Sequence, residues 1–147
     1  MPASSRFAVA CHVLTVMGLK GGEPVKSDEV AARASTNPTV IRKLMSSLHR
    51  AGITRSVMGQ GGGNLLNRAP ETVTLADVYR AVEEGDLFGK PRCAPSDDCP
   101  VGPKVHAVLA GHAARAQDAM LADLGRTTLA DLMAGVAGPS ADRTPDP

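Results

Sequence analysis

Trp is absent from the sequence, and there are only two Phe and one Tyr. A core must therefore be built from Ala, Val, Leu and Met, which favours closely packed helices over an aromatic-rich sandwich. Cysteine is also scarce, three in 147 residues, too few for a scaffold stapled by disulfides. No apolar run approaches the ~18 residues of a membrane span. The N-terminus has no basic segment leading into an apolar stretch, so no signal peptide is expected. The expected setting is the cytoplasm, with no membrane partner. Catalytic constellations are missing too. His12, His49, His106 and His112 form no HExxH spacing, no Ser sits in a nucleophile elbow, and no enzyme is expected.

Apolar residues make up 43% of the chain, enough for one core. The net charge of +1 hides an uneven distribution. Residues 1–82 carry ten Lys or Arg against five Asp or Glu, a net of +5; residues 83–147 carry six against ten, a net of −4. A basic front half suits a polyanionic partner. A solvated surface with no partner can carry the same asymmetry, and charge alone does not separate the two.

Ser4 and Ser5 are N-cap candidates for a first helix. Phe7, Ala10, Cys11, Leu14 and Met17 recur at helical spacing, with Gly18 and Gly21-Gly22 as stops. Residues 23–26 read as a connector. Ser27 then caps a second helix whose first turn holds Asp28 and Glu29 and whose apolar positions are Val30, Ala31 and Ala34. After a short turn at Ser35-Thr36, Asn37 as N-cap and Pro38 at the first helical position open a third helix. Ile41, Leu44, Met45 and Leu48 form its buried stripe, and Gly52 ends it. Thr39, Arg42, Lys43, Ser46 and Arg50 stay outside. A short turn joining two helices, the second polar and basic outside, fits a helix-turn-helix with residues 37–51 as recognition helix. An ordinary helical hairpin with a solvated basic face fits as well.

Two strand candidates follow, Ile53–Met58 and Asn64–Arg68, around a loop rich in glycine: Gly59, Gly61, Gly62 and Gly63. The loop is no Walker A motif, because no Gly-Lys-Ser/Thr follows. It is no dinucleotide fingerprint either, because a strand follows rather than a helix. Behind a recognition helix it reads as a wing, with Arg55, Gln60 and Asn64 as candidate phosphate or groove contacts. Thr74 and Asp77 have capping-box spacing at the start of another short helix, with Leu75, Val78, Tyr79 and Val82 facing inward. Residues 83–102 read as an acidic, irregular, Cys-containing loop. Pro103 opens the longest helix, to about Leu124, with a broad apolar stripe from Val105 and Val108 to Leu124. Thr128-Leu129-Ala130-Asp131 starts a last short helix and echoes Thr74-Leu75-Ala76-Asp77. The tail from Gly138 reads as disordered.

Cys11 falls on the apolar side of the first helix, where a buried, inert thiol is the default. Cys93 and Cys99 flank a polar loop. Cys99 precedes a helix start, where the dipole lowers a thiol pKa, while Asp97 and Asp98 oppose that shift. The pair could form a disulfide, contribute to a metal site, or be ordinary loop residues.

Taken together, five segments resemble the Rrf2 family of bacterial winged helix-turn-helix regulators, which includes IscR, NsrR and CymR, and most resemble its YwnA-type branch. They are Arg6-Phe7-Ala8-Val9-Ala10, Asn37-Pro38-Thr39-Val40-Ile41-Arg42, Gly61-Gly62-Gly63, Thr74 to Val82, and Cys99-Pro100-Val101-Gly102. The resemblance runs from Ser5 to about Val136. It implies a mainly α fold: a winged helix-turn-helix domain (1–82) with a two-stranded wing, a Cys-containing sensor loop (83–102), a dimerisation helix with a short C-terminal helix (103–136), and a disordered tail (137–147).

The resemblance further implies a homodimer joined through the helix around 103–124 and binding palindromic double-stranded DNA, most simply as a repressor. Its implied DNA contacts are Arg6, Thr36, Asn37, Thr39, Arg42, Lys43, Arg55, Gln60, Gly61, Gly62 and Asn64. Cluster-binding members carry loop cysteines spaced roughly Cys-x5-Cys-x5-Cys. Here Cys93 and Cys99 match the first two, but Val105 stands at the third and His106 is out of register. No iron–sulfur cluster and no metal site are therefore expected. Sensing is expected through the Cys99 thiol, with Cys93 as resolving partner. The alternative is a redox protein or regulator that binds a cluster or metal.

Overall fold

The structure is a computed structural model; it describes residues 3–89 and 98–138, with side chains from residue 5 onward. Six helices and one hairpin follow one another in these segments: α1 (Ala3–Leu19), α2 (Ser27–Arg33), α3 (Pro38–Arg50), β1 (Thr54–Val57), β2 (Gly63–Leu66), α4 (Leu75–Val82), α5 (Gly102–Leu124) and α6 (Leu129–Ala137). The fold is mainly α with a two-stranded antiparallel sheet, Thr54 facing Leu66 and Val57 facing Gly63.

One core holds α1 to α4, the hairpin and α6 together. Val13 and Leu14 of α1, Val25, Ile41 and Leu48 of α3, Ile53, Val73, Val78 and Leu129 are all buried and belong to one cluster. Burying each such aliphatic side chain stabilises the fold by about 1.5–3 kcal/mol. No aromatic ring is buried in this core. Phe7 instead lies edge-on to Tyr79, centroids 5.7 Å apart, fastening α1 to α4 at the rim.

Side-chain capping explains the starts of α3, α4 and α6. Asn37 accepts a hydrogen bond from Thr39 N at 2.8 Å with Pro38 in the first turn, as the sequence predicts. Both Thr-Leu-Ala-Asp segments form full capping boxes, Thr74 with Asp77 and Thr128 with Asp131. The two caps also lie side by side: Leu75 N donates to Thr127 O and Leu129 N to Val73 O, a short antiparallel bridge between them.

Four expectations need correction. The first helix already begins at Ala3 and runs through Gly18 to Leu19. Gly18 does not stop it; it makes room, since a Cβ there would lie 2.4 Å from Met133 Sδ of α6. Ser27 is the first residue of α2 rather than its cap, and Lys26 at the cap makes no side-chain bond. Val25, in the expected connector, pairs with Asn64 as a third, one-residue edge of the wing sheet. Finally, α6 does not side with the long helix. It packs on α1 and on the 3-10 turn Pro70–Thr72, and its Leu129 is fully buried. Its last turn includes Ala137, where the tail was expected to start; residues 139–147 lie outside the described residues.

The long helix stands apart. It packs chiefly on α4, and none of its side chains from Gly102 to Leu124 is buried. No described helix is long and apolar enough to cross a membrane.

Candidate nucleic-acid interface

The turn between α2 and α3 is tight because its backbone bonds close at once. Thr36 N donates to Ala31 O, the Thr36 hydroxyl donates to Ala34 O, and Ser35 takes a positive φ of 48° between them. That turn sets α3 with Ile41, Leu44, Met45 and Leu48 buried and Thr39, Arg42, Lys43, Ser46 and Arg50 exposed. The expected inner and outer faces of α3 are both as observed.

The wing hairpin leaves Met58 to Gly62 as its loop, with Gln60 and Gly61 exposed at the tip and Gly62 half-buried. Two of its glycines are required by close approach. A Cβ on Gly62 would lie 2.2 Å from Val57 O, and one on Gly63 would lie 2.8 Å from Val25 O. No side chain larger than hydrogen fits either place without moving backbone.

Asn64 anchors the wing rather than projecting from it. Its backbone exchanges two hydrogen bonds with Val25, at 2.9 and 2.8 Å. Its side-chain amide donates to Val25 O at 3.2 Å and to Ser27 Oγ at 3.3 Å. The wing is thereby tied to the start of α2. The next residue, Asp28, reaches the recognition helix: Asp28 Oδ1 accepts from Arg42 Nη2 at 3.3 Å. Both side chains are largely exposed, 77% and 64%, so this pair adds little to stability. Glu29 turns the other way and pairs with Lys20 at 2.6 Å and Arg33 at 3.1 Å. The Lys20 ammonium, helped by Arg33, holds its carboxyl below the ordinary glutamate value.

Arg55 lies on the opposite side of β1 from the buried Thr54 and opens onto a groove of about 300 Å³ shared with Gly21, Gly22, Leu65 and Pro70. Arg6 is placed differently from a phosphate-binding side chain. Its Nη2 pairs with Glu83 Oε2 at 3.1 Å, and its Nε is buried with no hydrogen-bond partner among the described residues. The candidate contacts thus divide between the turn and α3, with Thr36, Asn37, Thr39, Arg42 and Lys43, and the wing, with Arg55, Gln60, Gly61 and Gly62. Arg6 and Asn64 are engaged inside the fold. Asp28, Ser27 and Glu83, the partners of these groups, carry no short-range sequence signal: each lies far along the chain from the residue it holds.

The second region of interest surrounds the start of α5. Cys99 is exposed, and Gly102 N donates to its Sγ at 3.3 Å. Hydrogen bonds from the Val101 and Gly102 backbone hold the thiol below its ordinary value. Cys11, by contrast, is pushed up to about 11 by burial. Cys93 lies outside the described residues. On α5, Val105 is exposed, whereas His106 lines a cavity of about 500 Å³ with Phe88, Leu109, Ala113 and Gln117. Leu87 N donates to Gln117 Oε1 at 2.9 Å across its edge. Among the described residues, no three His, Cys, Asp or Glu converge as metal ligands.

Comparison with known proteins bears on both regions. A family model described as Rrf2, an iron-dependent transcriptional regulator, matches residues 3–135. The Bacillus subtilis protein YwnA, described as an HTH-type transcriptional regulator, is 34% identical over 130 residues, 88% of this chain and 96% of that one. The HTH-type transcriptional regulator IscR of Escherichia coli is 27% identical over 103 residues, 67% of this chain and 63% of that one. Among solved structures, a transcriptional regulator from Lactobacillus plantarum superposes with a TM-score of 0.74 at 26% identity, covering 89% of each chain.

Proposed function

The chain belongs to the Rrf2 family of DNA-binding transcriptional regulators, a role without catalysis, and from that premise we propose that it acts as a homodimeric repressor reading a palindromic operator. The observation that carries the dimer is α5. It has 23 residues and no buried side chain; Val105, Val108 and Leu109 stand exposed in its first half, and Val101 stands exposed at the cap just before it. A face of this kind left in water favours self-association, and pairing α5 with its counterpart in a second copy covers it symmetrically. The two recognition helices then face half-sites about one helical turn apart.

On each half-site α3 lies in the major groove, where Arg42 or Lys43 reads a guanine edge, a contact worth ~1–3 kcal/mol of discrimination. Thr36, Asn37 and Thr39 approach the backbone at the start of α3. Arg55, Gln60, Gly61 and Gly62 follow the adjoining backbone and minor groove and fix register. Arg6 and Asn64 act indirectly in this reading, by holding α1 and the wing in place. A regulator of this kind works in the cytoplasm, where its DNA is.

We further propose that the repressor responds to oxidants or electrophiles through Cys99, on the strength of its exposure, its lowered pKa and its position at the root of the dimer helix. With peroxide as oxidant, the Cys99 and Cys93 thiols give up two protons and two electrons to form a disulfide, and the peroxide leaves as two waters. Iron, named in the family description, suits these residues poorly. The third loop position is the apolar Val105, and His106 lines a separate cavity. The regulator is accordingly proposed to hold no cluster and no metal.

Footprinting of the DNA upstream of the protein's own reading frame, with and without peroxide, tests the whole reading. A protected palindrome that Arg42→Ala no longer protects at matched salt is the expected result. Equal protection by Arg42→Ala removes Arg42 from the interface. A Cys99→Ser protein that still releases DNA on peroxide treatment overturns the thiol assignment. Iron bound in anaerobically purified protein overturns the assignment of no metal.

A further inference from the structure

The first two residues of α2 each hold one of the two elements that meet DNA. Ser27 Oγ accepts from Asn64 of the wing, and Asp28 Oδ1 accepts from Arg42 of the recognition helix. We propose that Asp28 is a positioning residue for sequence reading, aiming the Arg42 guanidinium at a base edge and exchanging affinity for selectivity. The inference rests on the reading of Arg42 as a base contact.

The chemistry follows from the guanidinium. It is planar, carries five N–H donors and recognises guanine O6 and N7 with two of them. An exposed arginine on a helix samples many rotamers, and most point at phosphate or water. One oxygen of Asp28 on Nη2 restricts that freedom and leaves the remaining donors of the fork for a base. Meanwhile a carboxylate on a surface that faces phosphates repels the backbone of any duplex, whatever its sequence. With both side chains largely exposed, the pair has little to do for folding. A negative charge at the DNA-facing surface of a basic half-chain is otherwise costly to binding; here it touches the one arginine proposed to read sequence.

The test uses the full-length protein and a duplex selected by it from a random-sequence library. Its affinity is compared with that for a scrambled duplex by fluorescence anisotropy at one salt concentration. Asp28→Asn is expected to bind the scrambled duplex a few-fold more tightly and to lower the ratio of selected to scrambled affinity about tenfold, equivalent to ~1.4 kcal/mol. Asp28→Glu is expected to recover part of the ratio. In an Arg42→Ala background, Asp28→Asn is expected to leave the ratio unchanged, the signature of two residues acting as one unit. Thermal melting separates these effects from loss of fold. If Asp28→Asn strengthens both affinities equally, Asp28 merely repels DNA and the proposal falls. An equal drop in the ratio with and without Arg42 also defeats it. If Arg42→Ala itself leaves the ratio intact, the base-reading role of Arg42 fails first and takes this inference with it.

Discussion

Arg6 Nη2 lies 3.1 Å from Glu83 Oε2, and the other carboxylate oxygen of Glu83 accepts from Phe7 N at 3.2 Å. Glu83 is nearly enclosed, its side chain 3% exposed, and it is the residue that ends α4. One carboxylate therefore clamps the first turn of α1 to the point where the chain leaves the winged-helix core. Removing it strands a buried arginine edge and a backbone donor together. Glu83→Ala is expected to lower stability by about 2–4 kcal/mol, the scale of losing charged hydrogen bonds inside a protein. Urea unfolding of the two proteins checks this. Arg6→Ala is expected to melt earlier yet keep its salt-dependent affinity for DNA at temperatures where it is folded. A loss of DNA affinity without loss of stability would put Arg6 on the phosphates instead.

The wing makes a second demand on backbone space. Gly63→Ala places a methyl group 2.8 Å from Val25 O, directly across the Val25–Asn64 bridge. The bridge must open or the strand must shift. A destabilisation of about 1–3 kcal/mol, typical of forced overpacking, is expected in urea unfolding, together with at least a tenfold weaker hold on operator DNA. A Gly59→Ala protein meets no neighbouring atom and suffers only the strain of its positive φ, so its loss is expected to be smaller. The reverse order would mean that the bridge does not position the wing.

These two sites mark where the sequence is legible and where it is not. Asn37-Pro38, Thr74 with Asp77, and Thr128 with Asp131 act within one helical turn, so their chemistry can be read from neighbouring letters. The buried stripe of α3 repeats at helical period and is just as plain. The pairing of Val25 with Asn64 joins residues 39 positions apart, and Arg6 meets Glu83 across 77. No local pattern carries such contacts. Arg6 and Asn64 therefore read as free polar groups available to DNA, while the fold spends both on itself. Ser27 misleads for a related reason: a serine before acidic residues looks like a cap, but its hydroxyl is wanted by the wing. The apolar stripe of the long helix is legible, yet only the fold shows that a single chain leaves its first half exposed and covers the rest only in part.

The thiols of Cys11 and Cys99 should separate cleanly by pH. Backbone N–H groups lower the Cys99 pKa, so its thiolate accumulates at lower pH than that of an ordinary cysteine. Burial raises Cys11 from 9.0 to about 11, so its thiolate appears only at high pH in the folded protein. Iodoacetamide labelling followed by mass spectrometry is expected to modify Cys99 near neutral pH and to spare Cys11. The same shift has a stability consequence. Cys11 ionises more readily when unfolded, so its contribution is fully present below pH 9.0 and is lost as the pH rises toward about 11. Cys11→Ala is expected to flatten stability across that window. Equal labelling of both thiols at pH 7 would contradict the burial of Cys11.

The exposed face of α5 supplies the sharpest test of assembly. Val108 is 64% exposed and Val105 50% exposed, with Leu109 beside them. These side chains touch nothing in the core, so a charge placed there costs a single chain almost nothing. In a dimer closed by α5 against α5, two-fold symmetry brings each substituted position in twice. Val108→Glu then buries two carboxylates in an apolar seam, and each must be desolvated without a partner. The variant is expected to sediment as a folded monomer at concentrations where the parent protein sediments as a dimer, with its α1–α4 core intact by circular dichroism. DNA affinity is expected to fall by well over tenfold, because one half-site can no longer hold the other in reach. A Val108→Glu protein that remains dimeric and binds DNA normally would place the subunit contact elsewhere and return this face of α5 to solvent.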